Sequence, residues 1–445
     1  DSNDKVVTTK TGVQRTIPKT SGIYDRSYYP IPLVNEVPSQ DIFELIKAEN
    51  KELMDKVETD IQNGTLTKHI AADGQFYGNI SDDVLGVEKK IYVNTNSKGT
   101  HSLASYVPAG EIATVTLSEE ALFYAKKGWI KISVGMTMVD ATNYTYNQGT
   151  NNRMPYLGKT FSVSERETQV GTPFGGMVFI EINSSVPSGL QLEVDIKGVV
   201  DSPYYDLGQT TSKEWKTAKD AAGLFAEIRT PYLRFIVPSY FIREVEDPNL
   251  ACLFWTNATT LSATLMAQEA RTTPMTLIFD DYITAGLAYA SVGNWTCNLP
   301  SDWATSALDY ERLMESGNWG LIHEINHHYQ RRYNSYNDEW GLGNDFTEVT
   351  NNVLSTISYI LYTNIAAYRG ENGTDDWNKV VDPYSSLKQQ MYEGEAYYKG
   401  VPNVGNFAFS TLAHELGPLT LANIIKSTYD GATFQGIEIP AYDYK

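Results

Sequence analysis

The sequence predicts a multidomain α+β fold with an N-terminal arm and helix, a β-sandwich, and then a mainly helical domain that carries a metal motif. Three observations indicate this organisation. The chain has 445 residues, which is more than a single hydrophobic core usually serves. Near residue 90 the apolar pattern changes from a helical period to a period of two, and after about residue 206 it becomes mixed and then mainly helical. We therefore expect domains at residues 1–85, 86–205 and 206–445.

The N-terminal region is predicted to be an extended arm followed by one helix. The first forty residues are rich in Pro, Ser, Thr and charge and show no apolar period. Asp41 can cap a helix N-terminus, and Glu44 stands three residues later as its capping-box partner. One side of the predicted helix is apolar and is expected to pack against the rest of the protein; it consists of Ile42, Leu45, Ile46, Leu53, Val57 and Ile61.

The predicted β-sandwich between about residues 86 and 205 rests on alternating apolar residues, which are typical of a strand that buries one face. Two segments show this alternation; they contain Ile132, Val134, Met136 and Met138, and Leu190, Leu192, Val194 and Ile196. Residues 177–182 form a more continuous apolar run. Such a run is typical of a strand in the middle of a sheet.

Composition excludes several classes of function. The net charge of −19 argues against a nucleic-acid-binding protein, because phosphate binding needs clustered Lys and Arg. The longest apolar stretch, residues 353–368, is broken by Ser, Thr and Asn and is too short to cross a bilayer. The chain opens on Asp1 rather than on Met and an apolar run, which suggests a processed or cloned start. Cys252 and Cys297 are compatible with one disulfide or with two buried thiols.

The strongest functional signal is the segment His323-Glu324-Ile325-Asn326-His327. A chain of this composition is expected to contain H-[DE]-x-x-H by chance about 0.01 times. On a helix the two histidines lie four residues apart and point to one side. Two imidazoles and one carboxylate can hold a tetrahedral zinc with an open fourth position, which is the arrangement of a hydrolytic metal site. We therefore predict one Zn²⁺ ion bound by His323 and His327.

The third metal ligand is predicted to be Glu348, in a second helix that follows the motif. Glu339 and Asp345 are alternatives, but Glu339 lies in a polar loop, where a charge is usually solvated. Asn352 stands four residues after Glu348, on the same side of the predicted helix, and could hydrogen-bond a liganding imidazole. It could equally be an ordinary polar residue of that helix.

Glu324 is predicted to be the general acid and base rather than a ligand. A carboxylate beside the two histidines can take a proton from the attacking water and return it to the leaving amine. The predicted reaction is therefore peptide-bond hydrolysis. His328 points about 100 degrees away from His327 on an ideal helix, so it is expected to lie outside the metal site.

These residues resemble the M60-like, enhancin-type gluzincin metallopeptidases. The resemblance covers roughly residues 90–445; its motifs are His323-Glu324-x-x-His327-x-x-Gln330, Thr347-Glu348-Val349-Thr350-x-Asn352, and the segments 106–111, 175–180, 226–228 and 237–239. It implies a secreted or cell-surface zinc peptidase that attacks mucin-type O-glycoproteins. It also implies His323, His327 and Glu348 as zinc ligands and Glu324 as the catalytic residue.

The sequence departs from the family pattern at two places. Asn326 stands where the family usually has Gly; Asn fits a helix, so metal binding is expected to survive. The Gly-Tyr-Pro pattern upstream of the motif is not kept, so the substrate is less well defined than the chemistry. The candidate substrate-binding residues are Gly286, Tyr289, Trp295 and Trp340. The three aromatic residues could stack on sugar rings, although aromatic side chains more often serve packing.

Two other functions fit parts of the sequence. One is a glycan- or host-binding surface protein with a degenerate peptidase domain. The intact motif argues against it, since loss of catalysis usually removes a ligand or the base. The other is a gluzincin aminopeptidase, which would be expected to carry a Gly-x-Met-Glu-Asn strand that this sequence lacks.

Overall fold

The computed structural model describes residues 5–8, 14–17, 40–69, 86–135, 156–266, 268–280 and 287–330. It also describes short pieces elsewhere, at residues 72, 80–81, 84, 283, 351, 354–355, 358, 416, 420, 423, 432–434 and 437–439. The helices of these residues are α1 Gln40–Asn63, α2 Glu119–Ala125, α3 Ser212–Ala218, α4 Ser239–Ile242, α5 Asn249–Leu265, α6 Trp303–Leu308, α7 Tyr310–Ser316 and α8 Trp319–Tyr329.

Strands form four groups. Two of the groups are hairpins, β1 Lys5–Thr8 with β2 Gln14–Ile17, and β17 Ala432–Phe434 with β18 Ile437–Ile439. An eight-stranded sheet contains β3 Val87–Asn94, β4 Gly99–Val107, β5 Ala113–Leu117, β6 Ile130–Val134, β7 Lys159–Ser162, β8 Glu167–Val170, β9 Gly176–Ile182 and β10 Gln191–Asp201. A six-stranded sheet contains β11 Tyr204–Asp206, β12 Phe225–Arg229, β13 Leu233–Pro238, β14 Met275–Asp280, β15 Tyr289–Ser291 and β16 Thr296–Pro300.

The eight-stranded sheet corrects the predicted β-sandwich. Its strands run in the order β7-β6-β9-β4-β10-β5-β8, with β3 also paired to β10, as one nearly closed, barrel-like sheet. The long strand β10 makes this connection. It pairs with β5 up to Lys197 and, across a register shift at Gly198, with β3 up to Val199; its last residues, Val200 and Asp201, pair with β4. A β-bulge of this kind bends a strand and lets it pass from one set of partners to another.

Individual strands of this sheet follow the sequence pattern. The alternating residues Leu192, Val194 and Ile196 of β10 are all buried. The continuous run at β9 is paired on both sides, by β4 and β6, which confirms it as an inner strand. Met136 and Met138 lie outside the described residues. Helix α1 covers this core with Met54, Val57 and Ile61, and its first residue is Gln40, so the predicted cap at Asp41 falls inside the helix.

The six-stranded sheet corrects the prediction that the chain is mainly helical after residue 206. The strands β13 and β14 are buried at every position, and a short, continuous apolar run does not distinguish a buried strand from a helix segment. The order is β11-β12-β13-β14-β16-β15, with parallel pairs at β11–β12, β13–β14 and β14–β16. The second half of the sequence therefore begins with a mixed sheet rather than with helices.

One arginine joins the two large sheets. Arg234 of β13 donates from Nη2 to Oγ1 of Thr276 at 2.7 Å and from Nη1 to the backbone oxygen of Thr100 in β4. Its guanidinium lies 5.7 Å from the ring centroid of Phe179 in β9. We call Arg234, Thr100, Thr276 and the neighbouring buried Glu227 the sheet junction. Burial raises the pKa of Glu227, and the positive charges of Arg234 and Arg229 act in the opposite direction.

The chain divides into two compact units. The first contains residues 1–249 and 272–305, and so includes both large sheets; the second contains residues 250–271 and 306–445. The predicted domains at residues 1–85, 86–205 and 206–445 describe sequence patterns rather than packing, and they stay predictions. Cys297 of the first unit and Cys252 of the second are both buried thiols.

Candidate metal centre

The metal motif lies on helix α8 of the second unit. Gly317, at φ 60°, ends α7, and α8 begins after Asn318. Glycine adopts this left-handed conformation without strain, so it is a common helix terminator. The break lets the motif helix take its own direction.

Side-chain hydrogen bonds stabilise both ends of α8. Asn318 caps the N-terminus, where its Oδ1 accepts from the backbone N–H of Leu321 at 2.9 Å. Its Nδ2 also donates to Oγ of Ser306 at 2.9 Å. At the other end, Nε2 of Gln268 donates to the backbone oxygen of Tyr329 at 2.5 Å. Helix ends carry backbone groups without intrahelical partners, so these bonds stabilise the helix and hold it in place.

The two histidines of the motif face each other. Their Nε2 atoms lie 3.1 Å apart, and their ring centroids are 4.6 Å apart with the ring planes at 87°. Both side chains are half-buried, whereas the flanking Ile325 and Asn326 are fully buried. The four-residue spacing therefore brings two imidazole nitrogens together on the more accessible side of α8.

This arrangement fits a zinc ion. Two nitrogens bound to one tetrahedral zinc, at bond lengths of about 2.05 Å, are separated by about 3.3 Å, close to the 3.1 Å between the Nε2 atoms of His323 and His327. Within the described part of the chain no third His, Cys, Asp or Glu completes a metal-binding group. The predicted third ligand, Glu348, and the alternatives Glu339 and Asp345 lie outside that part.

A contact with Gln330 determines which ring nitrogen of His327 carries the proton. Its Oε1 lies 3.2 Å from Nδ1 of His327. Because an amide oxygen only accepts, Nδ1 of His327 is the donor, and the lone pair of this imidazole is on Nε2. A liganding histidine usually donates its other N–H to an oxygen in this way, which fixes the ring and raises its basicity. The sequence motif contained Gln330 without assigning this role to it.

Glu324 is buried next to the first histidine, with 7% of its surface exposed. His328 is also buried. Trp319 lies one turn before His323, with ring centroids 5.0 Å apart, and is 37% exposed. From the sequence, Trp319 is expected to be a packing residue of the motif helix. Its spacing of four residues from His323 was the signal that could have found it.

An asparagine that the sequence did not single out, Asn351, contacts α8. Asn351 donates from Nδ2 to the backbone oxygen of His323 at 2.9 Å. Asn352, the predicted supporting residue, lies outside the described residues, so its role stays a prediction. Asn326 donates from Nδ2 to Oγ of Ser355 at 3.1 Å. Neither Asn326 nor Ser355 had been assigned a contact.

Two of the predicted substrate-binding residues, Tyr289 and Trp295, lie within the described part of the chain. Tyr289 is half-buried on β15, the strand at the edge of the six-stranded sheet. Trp295 is left-handed at φ 56°, and its Nε1 donates to the backbone oxygen of Thr273 at 3.0 Å. Both belong to the first unit, while α8 belongs to the second. Gly286 and Trp340 lie outside the described residues.

Among the helices that the structure describes, none is both long enough and apolar enough to cross a bilayer.

Two family profiles match the chain. The profile of the N-terminal domain of M60-like peptidases matches residues 87–197. The profile described as Peptidase M60, enhancin and enhancin-like matches residues 198–411. Together they cover both large sheets and the metal motif.

Known proteins resemble this chain over most of its length. Antigenic protein P1 of Entamoeba histolytica is 33% identical over 397 residues, which are 86% of this chain and 34% of that protein. TRPM8 channel-associated factor 1 of Bos taurus is 27% identical over 324 residues, which are 71% of this chain and 32% of that protein. The chain thus spans about a third of the length of these curated relatives.

A solved structure has the same fold. The IMPa metallopeptidase of Pseudomonas aeruginosa, solved in complex with T-antigen, superimposes with a TM-score of 0.52 at 13% identity. The match covers 96% of this chain and 55% of the IMPa chain. At this identity the likeness concerns the fold. The two profile matches carry the assignment further: the chain belongs to the M60-like family of metallopeptidases.

Proposed function

We propose that this chain is a zinc endopeptidase that hydrolyses peptide bonds in glycoproteins, with mucin-type O-glycoproteins as its substrates. The observation that carries the proposal is the pair of facing Nε2 atoms of His323 and His327, 3.1 Å apart on α8, in a member of a metallopeptidase family. A secreted or cell-surface location is part of the same proposal, because such substrates lie outside the cell.

Different residues of this chain would bind the zinc ion and transfer the proton. His323, His327 and Glu348 would hold one zinc, with the tautomer of His327 set by Gln330. When bound, zinc supplies Lewis acidity, which lowers the pKa of water and polarises a substrate carbonyl. Glu324 would take the proton of the attacking water and deliver it to the leaving amine. Its burial keeps the carboxylate out of bulk solvent, where a proton would be lost to other acceptors.

Trp319 supports recognition of a glycan near the metal. It presents a partly exposed aromatic surface 5.0 Å from the ring of His323. Aromatic side chains have large apolar faces that can pack against the C–H face of a sugar. The T-antigen in the IMPa complex supports the same substrate class. Trp319 therefore joins Gly286, Tyr289, Trp295 and Trp340 as a proposed substrate-binding residue.

The test compares a mucin with its enzymatically deglycosylated form. Wild-type protein loaded with zinc is expected to cut the glycosylated form much faster, since binding of the sugar contributes to the transition state. Removal of zinc with a chelator should abolish cleavage of both, and the substitution Glu324→Gln should slow cleavage of both strongly. Equal cleavage of the two mucins would contradict glycan recognition but not the peptidase activity. No cleavage by zinc-loaded wild type would contradict the peptidase.

Trp319→Ala refines this test. If Trp319 binds the glycan, its loss should slow cleavage of the glycosylated substrate and leave the slower cleavage of bare peptide unchanged. Tyr240→Ala removes another exposed aromatic side chain, 57% exposed on α4, and is the matched control. A uniform loss on both substrates would assign Trp319 to the support of His323 instead.

A binding protein with an unused peptidase site is the second candidate. The name of one relative describes association with the TRPM8 channel rather than hydrolysis, which favours this alternative. The presence of His323, Glu324, His327 and Glu348 in the sequence favours hydrolysis. Cleavage separates the two: zinc-loaded protein that cuts a mucin only with Glu324 intact is a peptidase, and zinc-loaded protein that binds a mucin without cutting it is the alternative.

A further inference from the structure

Three buried polar side chains connect α8 to residues 351–358. Asn326, Asn351 and Ser355 each have a relative exposure of 0%, and residues 351, 354, 355 and 358 are helical. Buried polar side chains at a helix contact restrict how the helices can slide or rotate, because each displacement breaks a hydrogen bond that water cannot replace.

The hydrogen bonds form a closed ring. Asn351 Nδ2 donates to the backbone oxygen of His323 at 2.9 Å. Ser355 Oγ donates to the backbone oxygen of Asn351 at 2.7 Å. Asn326 Nδ2 donates to Ser355 Oγ at 3.1 Å. Asn326 lies on α8 three residues after His323, so the helix backbone closes the ring.

The direction of each bond is determined by its acceptor. The backbone oxygen of His323 only accepts, so Asn351 must present its amide nitrogen. The single hydroxyl proton of Ser355 is used on the oxygen of Asn351, so Asn326 must donate to the hydroxyl. A ring with only one consistent set of donors and acceptors defines a single relative position of its members.

We propose that Asn326, Asn351 and Ser355 are positioning residues for the metal ligands, and that their ring holds α8 so that the Nε2 atoms of His323 and His327 converge. The proposal rests on the proposed zinc site. It follows from the bond of Asn351 to the backbone of His323 itself: a rotation of α8 that breaks this bond also turns both imidazoles. Metal sites require ligand placement within about 0.5 Å, so a loosened helix should lose affinity.

One bond of the ring depends on Asn326, a residue at which this chain departs from the family pattern. This position differs from the Gly that is usual in the family, and a glycine has no side chain with which to reach Ser355. The substitution Asn326→Gly therefore removes one bond of the ring, and Asn326→Ala removes it without increasing backbone freedom as much.

The experiment measures metal binding in the full chain with Asn326→Ala, Asn351→Ala and Ser355→Ala. Zinc affinity is obtained by competition with a chromophoric chelator, and ligand geometry from the visible spectrum after loading with Co²⁺. Each variant is expected to bind zinc about 10- to 100-fold more weakly than wild type, as is typical when the support of a liganding histidine is removed. Ser355→Thr keeps the hydroxyl and should restore affinity.

Thr259→Val is the matched control. Thr259 is buried in the same unit on α5 and donates from Oγ1 to the backbone oxygen of Trp255, four residues before it, at 2.8 Å. Its bond therefore has the same form as that of Ser355 to Asn351 but lies outside the ring. Thr259→Val should lower thermal stability somewhat and leave zinc affinity and the Co²⁺ spectrum unchanged.

Two results would overturn the positioning role. Folded ring variants with wild-type zinc affinity and an unchanged Co²⁺ spectrum would show that the ring serves stability alone. An equal loss of affinity in Thr259→Val would show that any destabilisation of this unit weakens metal binding. Failure of the proposed function is recognised separately. Wild-type protein that binds no zinc would overturn both the zinc site and the positioning role, whereas zinc-loaded wild type that cuts no mucin would overturn the peptidase alone.

Discussion

The sheet junction and helix α8 both bury polar side chains, but they use them differently. At the sheet junction, Arg234 is 4% exposed and its nitrogens bond to Thr100 and Thr276. On α8, Glu324 and Asn326 are similarly buried, while His323 and His327 are half-exposed and turn two nitrogens toward each other. The junction directs its polar atoms into the protein, and α8 directs some of them toward solvent.

The difference teaches that buried charge alone does not indicate a functional site. Structural charge networks also perturb pKa values, and the raised pKa of Glu227 arises from burial in the sheet junction. Convergence of ligand atoms on an accessible side is the more useful criterion, because a metal or substrate must reach them. Changes at α8 should therefore affect chemistry with little effect on stability, and changes at the junction should do the reverse.

The largest expected effect is on turnover. Glu324→Gln should reduce kcat by about 10²- to 10⁴-fold, because the proton transfer is lost, while zinc content and the thermal midpoint stay near wild type. Glu311→Gln, which changes an exposed carboxyl group on α7, is the control. It should leave kcat, zinc content and the thermal midpoint unchanged. Steady-state cleavage of a glycopeptide measures this, and wild-type turnover in Glu324→Gln would remove Glu324 from the mechanism.

Arg234→Met should lower the free energy of unfolding and leave turnover unchanged. Loss of the guanidinium breaks its bonds to Thr100 and Thr276 and removes one of the two positive charges that act on buried Glu227. The expected loss in the free energy of unfolding is about 3–5 kcal/mol. Turnover per folded molecule should stay unchanged. Denaturant unfolding measures the loss, with Arg166→Met as an exposed control. Adding Glu227→Gln to Arg234→Met should recover part of the stability; no recovery would mean that the two charges are independent.

His101 of β4 should make the stability of the folded protein depend on pH. Burial, together with the nearby charges of Arg229, Arg234 and Lys98, lowers its pKa from 6.5 to about 4. Its Nε2 bonds to the backbone oxygen of Ser97 at 3.0 Å. In the unfolded chain the imidazole takes up a proton below pH 6.5, but in the folded protein it does so only near pH 4.

His101 therefore favours the folded state fully above pH 6.5, and this contribution is lost as the pH falls toward 4. The loss is about 3 kcal/mol at about 1.4 kcal/mol per pKa unit. His101→Gln keeps a donor for Ser97 and should unfold with a flatter pH dependence across this range. Urea midpoints measured from pH 7 to pH 4 test it, and parallel curves for the two proteins would contradict the assignment.

The smallest effect is expected at Gln330. Gln330→Leu removes the acceptor of the His327 Nδ1 proton, so zinc affinity should fall by about 10-fold to 100-fold with little change in unfolding free energy. Gln330→Glu offers a carboxylate oxygen instead and should keep or raise affinity. Competition with a chelator measures both variants. Unchanged affinity in Gln330→Leu would show that this bond does not support the metal site.

The sequence predicted the candidate ligands because the relevant geometry is local. Four residues on a helix bring His323 and His327 to one side in any protein, and the structure places their nitrogens together on α8. The family was confirmed for the same reason, since its motifs are short and contiguous. The strand pattern of β10 was also readable, because alternation of burial is a property of neighbouring residues.

The fold class after residue 206 was wrong because continuous apolar runs such as β13 and β14 carry no period. The predicted sandwich was wrong because β10 pairs with β3 and β5 along most of its length and with β4 at its end, and the pattern of a single strand does not name its partner strands. The first half of the chain therefore forms one barrel-like sheet.

By itself, then, the sequence determined the metal motif, its family and the faces of single strands and helices, all of which depend on neighbours within one or two turns. The tertiary structure alone decided that Asn351 reaches His323, that Asn326 reaches Ser355 and that Arg234 joins two sheets. Each of these contacts connects residues 28 to 134 positions apart. The periodicity of a sequence contains no information about partners at that distance, because those partners are chosen by packing.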